Sequence, residues 1–150
     1  MSKMKSKIFT FFLKIAFFIF GLMPRKLIKF FGCSLGTFLK LIGFKKARVI
    51  QNLNIVYGSK DNWPKNIISR IYRHFGLLLM EILKMPSFSV EQAKGLTRFE
   101  GLENLDKALE KNQGVILISG HMGNWECTMA SLTSRGYDLS VVVKKVKNIV

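Results

Sequence analysis

His121 and Glu126 are the two residues whose types and spacing suit a proton-transfer pair. Imidazole titrates nearest neutrality of the common side chains, so it can take a proton from a hydroxyl at physiological pH. A carboxylate bonded to the other ring nitrogen fixes the tautomer and stabilises the imidazolium formed as the proton moves. Beside the His, Gly120 and Gly123 leave room for a bulky substrate or a close backbone approach. Asn124 can cap a following helix, whose first N–H groups then face an anion or an oxyanion. An acid five residues after a His is common, since Asp and Glu make up about 12% of average sequences. Spacing alone leaves catalysis and coincidence open.

The setting is more informative. Residues 115–119 read as a buried strand, and a glycine-flanked loop carries His121 into a helix over residues 125–135, stopped by Gly136. Residues 139–143 read as a second strand, parallel to the first through a right-handed crossover. His121 would then stand at the carboxyl end of a strand, where α/β proteins place their ligands. Upstream, residues 97–100 read as a strand and residues 104–111 as an amphipathic helix with Leu105, Ala108 and Leu109 inward. Ser89 and Gln92 have the spacing of a capping box. The expected fold class is therefore α/β, with a βαβ unit around the His–Glu stretch.

The first part of the chain has a different character. Of 24 Lys and Arg against 9 Asp and Glu in 150 residues, twelve basic residues and no acidic one precede Asp61. Basic residues interleaved with aliphatic and phenylalanine runs suit an anionic bilayer better than a nucleic-acid groove. Residues 8–23 are almost wholly apolar. Sixteen helical residues span about 24 Å, short of the roughly 30 Å hydrocarbon layer. The segment is thus either a short membrane anchor or a helix embedded in one leaflet. No small-residue cleavage site follows it, and Phe31 is too bulky for a lipoprotein site before Cys33.

Pro24 is placed to start a second helix running to about Gly43, with Lys26, Lys29, Cys33, Gly36 and Lys40 on one narrow stripe. Residues 47–57 read as a third helix closed by Gly58. A long fourth helix runs between Pro64 and Pro86, with Ile67, Ile68, Ile71, Phe75, Leu78, Leu79 and Ile82 as its buried face. His74 stands on it without a carboxylate at a spacing like that of His121, and Glu81 sits in apolar surroundings. Cys33 and Cys127 are two thiols far apart, which favours a reducing compartment over a disulfide framework.

The run Gly120-His121-Met122-Gly123-Asn124-Trp125-Glu126 resembles the active-site motif of the bacterial lipid A biosynthesis acyltransferases, the lauroyl and myristoyl transferases. That family is in turn similar to the wider glycerolipid acyltransferases with their His-x4-Asp motif. Further blocks resemble the family in the same order. They are Arg48 with Asn52-Leu53, the helix from Phe75-Gly76 to Glu81, Phe99-Glu100-Gly101-Leu102-Glu103-Asn104, and the run from Val141 to Asn148.

The resemblance implies that His121 deprotonates a hydroxyl on a membrane-bound acceptor while Glu126 orients and charge-balances it. The hydroxyl would attack an acyl thioester, expected on acyl-carrier protein, with no metal and no cofactor beyond that co-substrate. Asn124, Lys144 and Asn148 would lie on the substrate side. Lys144 falls where the family commonly has Arg, so the charge is kept but the planar fork is lost. The implied acceptor is a lipid A precursor or related lipid, and the implied location is the bacterial inner membrane, cytoplasmic side, with no nucleic-acid partner. Expected domains are a membrane anchor helix over residues 1–23, basic amphipathic membrane-facing helices over 24–60, the second helix being suited to lie in a membrane interface, and the N-terminal part of an acyltransferase α/β domain over 61–150. Family members run to roughly twice this length, so a fragment or an inactive remnant is the alternative expectation.

Overall fold

Proline and glycine set the first helix boundaries. A computed structural model describes residues 3–143. Helix α1, Lys3–Leu22, stops just before Met23 and Pro24, as helical geometry is disfavoured for the residue preceding a proline. Pro24 is the N-cap of α2, Arg25–Leu41, and its carbonyl accepts from the Leu27 and Ile28 N–H groups at 2.9 and 3.2 Å. Gly43, at φ +67°, ends α2 in a Schellman motif, with the Phe44 N–H on the Leu39 carbonyl at 3.0 Å. Helix α3, Lys46–Tyr57, closes at Gly58, and α4 runs over Ile67–Lys84.

These helices form one compact unit ending at Ser87. Its main contact is α2 across α4, and glycine makes it possible. A Cβ on Gly32 would lie 2.8 Å from the Leu77 Cα, and one on Gly36 would lie 2.7 Å from the Arg73 Cα. From the other side, a Cβ on Gly76 would lie 2.9 Å from the Gly36 Cα. The two backbones are therefore in contact, and Ile28, Leu53, Tyr72 and Leu78 are buried in the same unit. The buried face of α4 agrees with the expected one at Leu78, with Ile67, Ile68, Ile71, Leu79 and Ile82 half-buried, and departs from it elsewhere. Tyr72 and Gly76 are buried, whereas Phe75 is 39% exposed and stacks on Phe44. A helix packing through glycine turns its small residues inward, and apolar periodicity does not mark that face.

Polar ties complete the unit. The Tyr72 hydroxyl donates to the Phe44 carbonyl at 2.6 Å, and Lys40 Nζ donates to Ser69 Oγ at 2.7 Å. Lys84 Nζ donates to the Gly21 and Met23 carbonyls at 2.9 and 2.8 Å. A cation thus sits on the last carbonyls of α1, where the helix dipole favours it.

The second unit begins at Phe88. Its short helix α5, Val90–Lys94, carries the expected capping box between Ser89 and Gln92. Helix α6 covers Leu102–Leu109 and α7 covers Trp125–Ser134. The C-terminal half of α7 holds α5 by its end: Ser131 Oγ and Arg135 Nη2 both donate to the Lys94 carbonyl, at 2.9 and 3.0 Å. Ser131 is fully buried, Leu132 nearly so, and the Arg135 guanidinium lies 5.5 Å over the Phe99 ring. Gly136, at φ +98°, ends α7 in a second Schellman motif, and the Tyr137 hydroxyl that follows donates to Asp106 of α6.

The α/β expectation is overturned. Among the described residues there is no strand and no sheet, so the βαβ unit does not form. Residues 97–100, 115–119 and 139–143 are irregular. The reason is pairing: no backbone hydrogen bond among the described residues joins 115–119 to 139–143. Both faces of the first segment meet solvent, Ile116 and Ile118 at 90% and 95% exposed and Leu117 at 53%. An apolar β-branched run has the propensity for a strand, but a strand exists only once a neighbour takes its N–H and C=O groups.

Replacing Gly36 by Ala is expected to cost about 3 kcal/mol, at the upper end of overpacking substitutions. Gly95→Ala, where the nearest atom to a new Cβ is 3.6 Å away, should stay within about 0.5 kcal/mol. Denaturant unfolding of the two variants checks the contrast. A second expectation concerns Tyr137, whose pKa is raised from 10.0 by its bond to Asp106, then by desolvation and the carboxylate charge, against Arg135. A raised phenol contributes stability that is complete below pH 10.0 and lost as pH climbs through the higher folded value. NMR titration of labelled tyrosine rings should place Tyr137 above 10.0, and Asp106→Ala should bring it down.

Candidate active site

The α7 N-terminus brings the site residues together. Residues 113–124 approach it without regular structure, exposed along nearly their whole length. Gly123, at φ +60°, makes the last turn, and a Cβ there would meet nothing within 4 Å. At Gly120 the nearest atom to a Cβ would be the Met122 side chain, 3.9 Å away. The room expected beside His121 is present.

Asn124 occupies the N-cap position of α7, but its side chain makes no capping bond. Its carbonyl accepts from the Cys127 N–H at 3.2 Å, so the backbone starts the helix unaided. Glu126 lies in the first turn, where an acid suits the positive end of the helix dipole. His121 and Glu126 are both exposed.

No hydrogen bond or ion pair joins His121 to Glu126 among the described residues. Trp125 stands between them instead. Its indole N–H donates to Glu126 Oε1 at 3.1 Å, and its ring centroid lies 4.5 Å from that of His121 at an interplanar angle of 60°. One side chain therefore touches both members of the expected pair. A carboxylate has two oxygens, so a bond from the indole leaves it able to accept from an imidazole as well.

Sequence reasoning passed over Trp125. The available signal was its single N–H donor, which in a half-buried tryptophan usually finds a partner, here set directly before an acid. Of the other expected site residues, Asn124 is at the junction, whereas Lys144 and Asn148 lie outside the described residues. Cys127 is half-buried on α7 and forms no disulfide. His74 is exposed on α4, in the other unit. Among the described residues, no three His, Cys, Asp or Glu side chains cluster as a metal site would require.

The arrangement offers an exposed imidazole, an anchored carboxylate and an aromatic bridge at the start of a helix. A base able to reach a bulky hydroxyl, with an acid to balance the resulting charge, is the chemistry these groups permit. The ring contact has a direct readout. Trp125→Ala should move the His121 ring protons out of the indole shielding field, whereas Trp125→Phe should retain part of the shift. Proton NMR of the imidazole resonances makes the comparison.

Residues 2–150 match the family model described as bacterial lipid A biosynthesis acyltransferase. Neither a curated protein nor a solved structure matches the chain.

Proposed function

Because the chain belongs to the bacterial lipid A biosynthesis acyltransferase family, we propose that His121 and Glu126 carry an acyl transfer from a thioester to a lipid hydroxyl. The observation that supports this reading most is the family match over residues 2–150 together with a His and a Glu placed at one loop–helix junction. In the proposed step His121 takes the hydroxyl proton as the oxygen attacks the thioester carbonyl carbon. The carbon–sulfur bond of the tetrahedral intermediate then breaks, the thiolate leaves and takes the proton, and an ester remains. Glu126 stabilises the imidazolium between those two moments.

The donor in this reading is acyl-carrier protein and the acceptor a lipid A precursor, at the cytoplasmic side of the inner membrane. Asn124, beside the exposed N-terminus of α7, is proposed to meet the substrate. Lys144 and Asn148 are assigned to the same side by the sequence resemblance alone. A lipid acceptor suits the open surroundings of His121, which leave a bulky molecule room to approach.

The test is transfer of a labelled acyl group from acyl-carrier protein to a lipid A precursor, using membranes that carry this chain. His121→Ala should lower the rate at least a hundredfold, the low end of what a positioned base supplies. Glu126→Gln should lower it less, since the base itself remains. A rate indifferent to His121 would reject the assignment.

A further inference from the structure

Three stripes run along α2. Ile28, Gly32 and Gly36 face α4 and are buried. By the helical period, Lys26, Lys29 and Lys40 follow along one side of that face. Lys40 bonds Ser69 of α4, and Arg73 of α4 reaches Cys33 Sγ at 3.7 Å, so the basic edges of the two helices meet. The third stripe is apolar and open to solvent: Leu27, Phe30, Phe31, Phe38, Leu41 and Ile42, with Phe30 at 64%, Phe38 at 55% and Leu41 at 79% exposed. It extends the full length of the helix. Ser34 interrupts it between Phe31 and Phe38, and an exposed apolar face of this length marks a surface that something covers.

Charge selects the occupant. The partner must be apolar where it meets phenylalanine and anionic along the lysine edge, and residues 1–60 offer no acid to neutralise one. A second copy would set lysine against lysine. An anionic phospholipid bilayer meets both demands at once. We propose that α2 lies in the plane of such a bilayer, within one leaflet, its phenylalanine stripe among the acyl chains and Lys26, Lys29 and Lys40 at the phosphates.

Orientation follows from Arg73. Cys33 is at the middle of α2, so a transverse α2 would hold the Arg73 guanidinium near the bilayer centre, where a charge is costly. Lying flat, α2 puts Arg73 and the three lysines at one height beside the headgroups. Among the described residues no single helix is long and apolar enough to cross, and the bent pair of α2 and α3, at 94°, would need the same transverse α2. Helix α1 adds exposed phenylalanines of its own, with Phe12 at 62% and Phe18 at 69%. Vesicle docking needs no turnover, so this inference and the acyl-transfer reading can each fail with the other intact.

The test uses the whole chain with vesicles of phosphatidylcholine and phosphatidylglycerol. Spin labels at Leu27→Cys and Leu41→Cys, with Cys33 and Cys127 replaced by Ser, lie about 21 Å apart along the helix. Equal, shallow depths are expected for the two labels. A difference near that axial distance, or labels as water-accessible as in free solution, would overturn the proposal. Phe30→Ser with Phe38→Ser should weaken vesicle binding at least tenfold with unchanged helical circular dichroism. Replacing Lys26, Lys29 and Lys40 by Gln should weaken it about a hundredfold on anionic vesicles and little on neutral ones. Binding indifferent to both sets of changes, or self-association through α2 that vesicles do not displace, would reject it.

Discussion

Backbone-to-backbone contact between α2 and α4 is the constraint on which the first unit depends. Gly32, Gly36 and Gly76 leave no space for a side chain at the crossing. Helices that meet this closely gain van der Waals contact along their main chains rather than from interlocked large residues. Few large side chains are consequently needed inside, and among the unit's described residues the buried large apolar ones are Ile28, Leu53, Tyr72 and Leu78. The phenylalanines that a conventional core would consume remain on the outer faces of α1 and α2. The unusual phenylalanine content and the small core are two aspects of one packing solution.

Polar groups then do the work that apolar volume does elsewhere. Lys84 holds the end of α1 by two carbonyls, and Ser131 and Arg135 hold the end of α5 by one. In each case a side chain satisfies carbonyls that a helix C-terminus leaves without partners. These ties fix helix ends, which are the points where a short helix frays first. The exposed ion pairs Lys94–Glu91 and Arg98–Glu100 add little by comparison, since solvent screens them.

Helix limits were readable because they are set by single residues with local effects. Pro24 fixed the start of α2, Gly58 the end of α3, Gly136 the end of α7, and Ser89 with Gln92 the capping box of α5. The buried face of α4 was not readable in the same way. Its apolar residues located Leu78 but also suggested Phe75, whereas a glycine contact selected Tyr72 and Gly76, and that choice depends on where α2 lies. The strands failed for a related reason. Residues 115–119 and 139–143 have strand composition, but pairing is a relation between two segments, and neither segment's composition supplies it.

At the site the same distinction separates Glu126 from His121. Glu126 is placed by the helix that contains it, so its position follows from the limits of α7, which Gly136 and its Schellman motif help to set. His121 precedes the helix on an exposed segment, and no side-chain hydrogen bond among the described residues fixes its ring. Its packing against Trp125 is the contact that relates it to the carboxylate. A hydrogen bond between His121 and Glu126 would ask for a change in side-chain rotamers or in the Gly120–Gly123 turn, while α7 could stay as it is. Two glycines flanking the His make that adjustment cheap, and an indole already bonded to Glu126 keeps the acid in place while it occurs. The residues can thus be legible one by one while the distance between His121 and Glu126 is not, because that distance is set by a stretch of backbone that no helix controls.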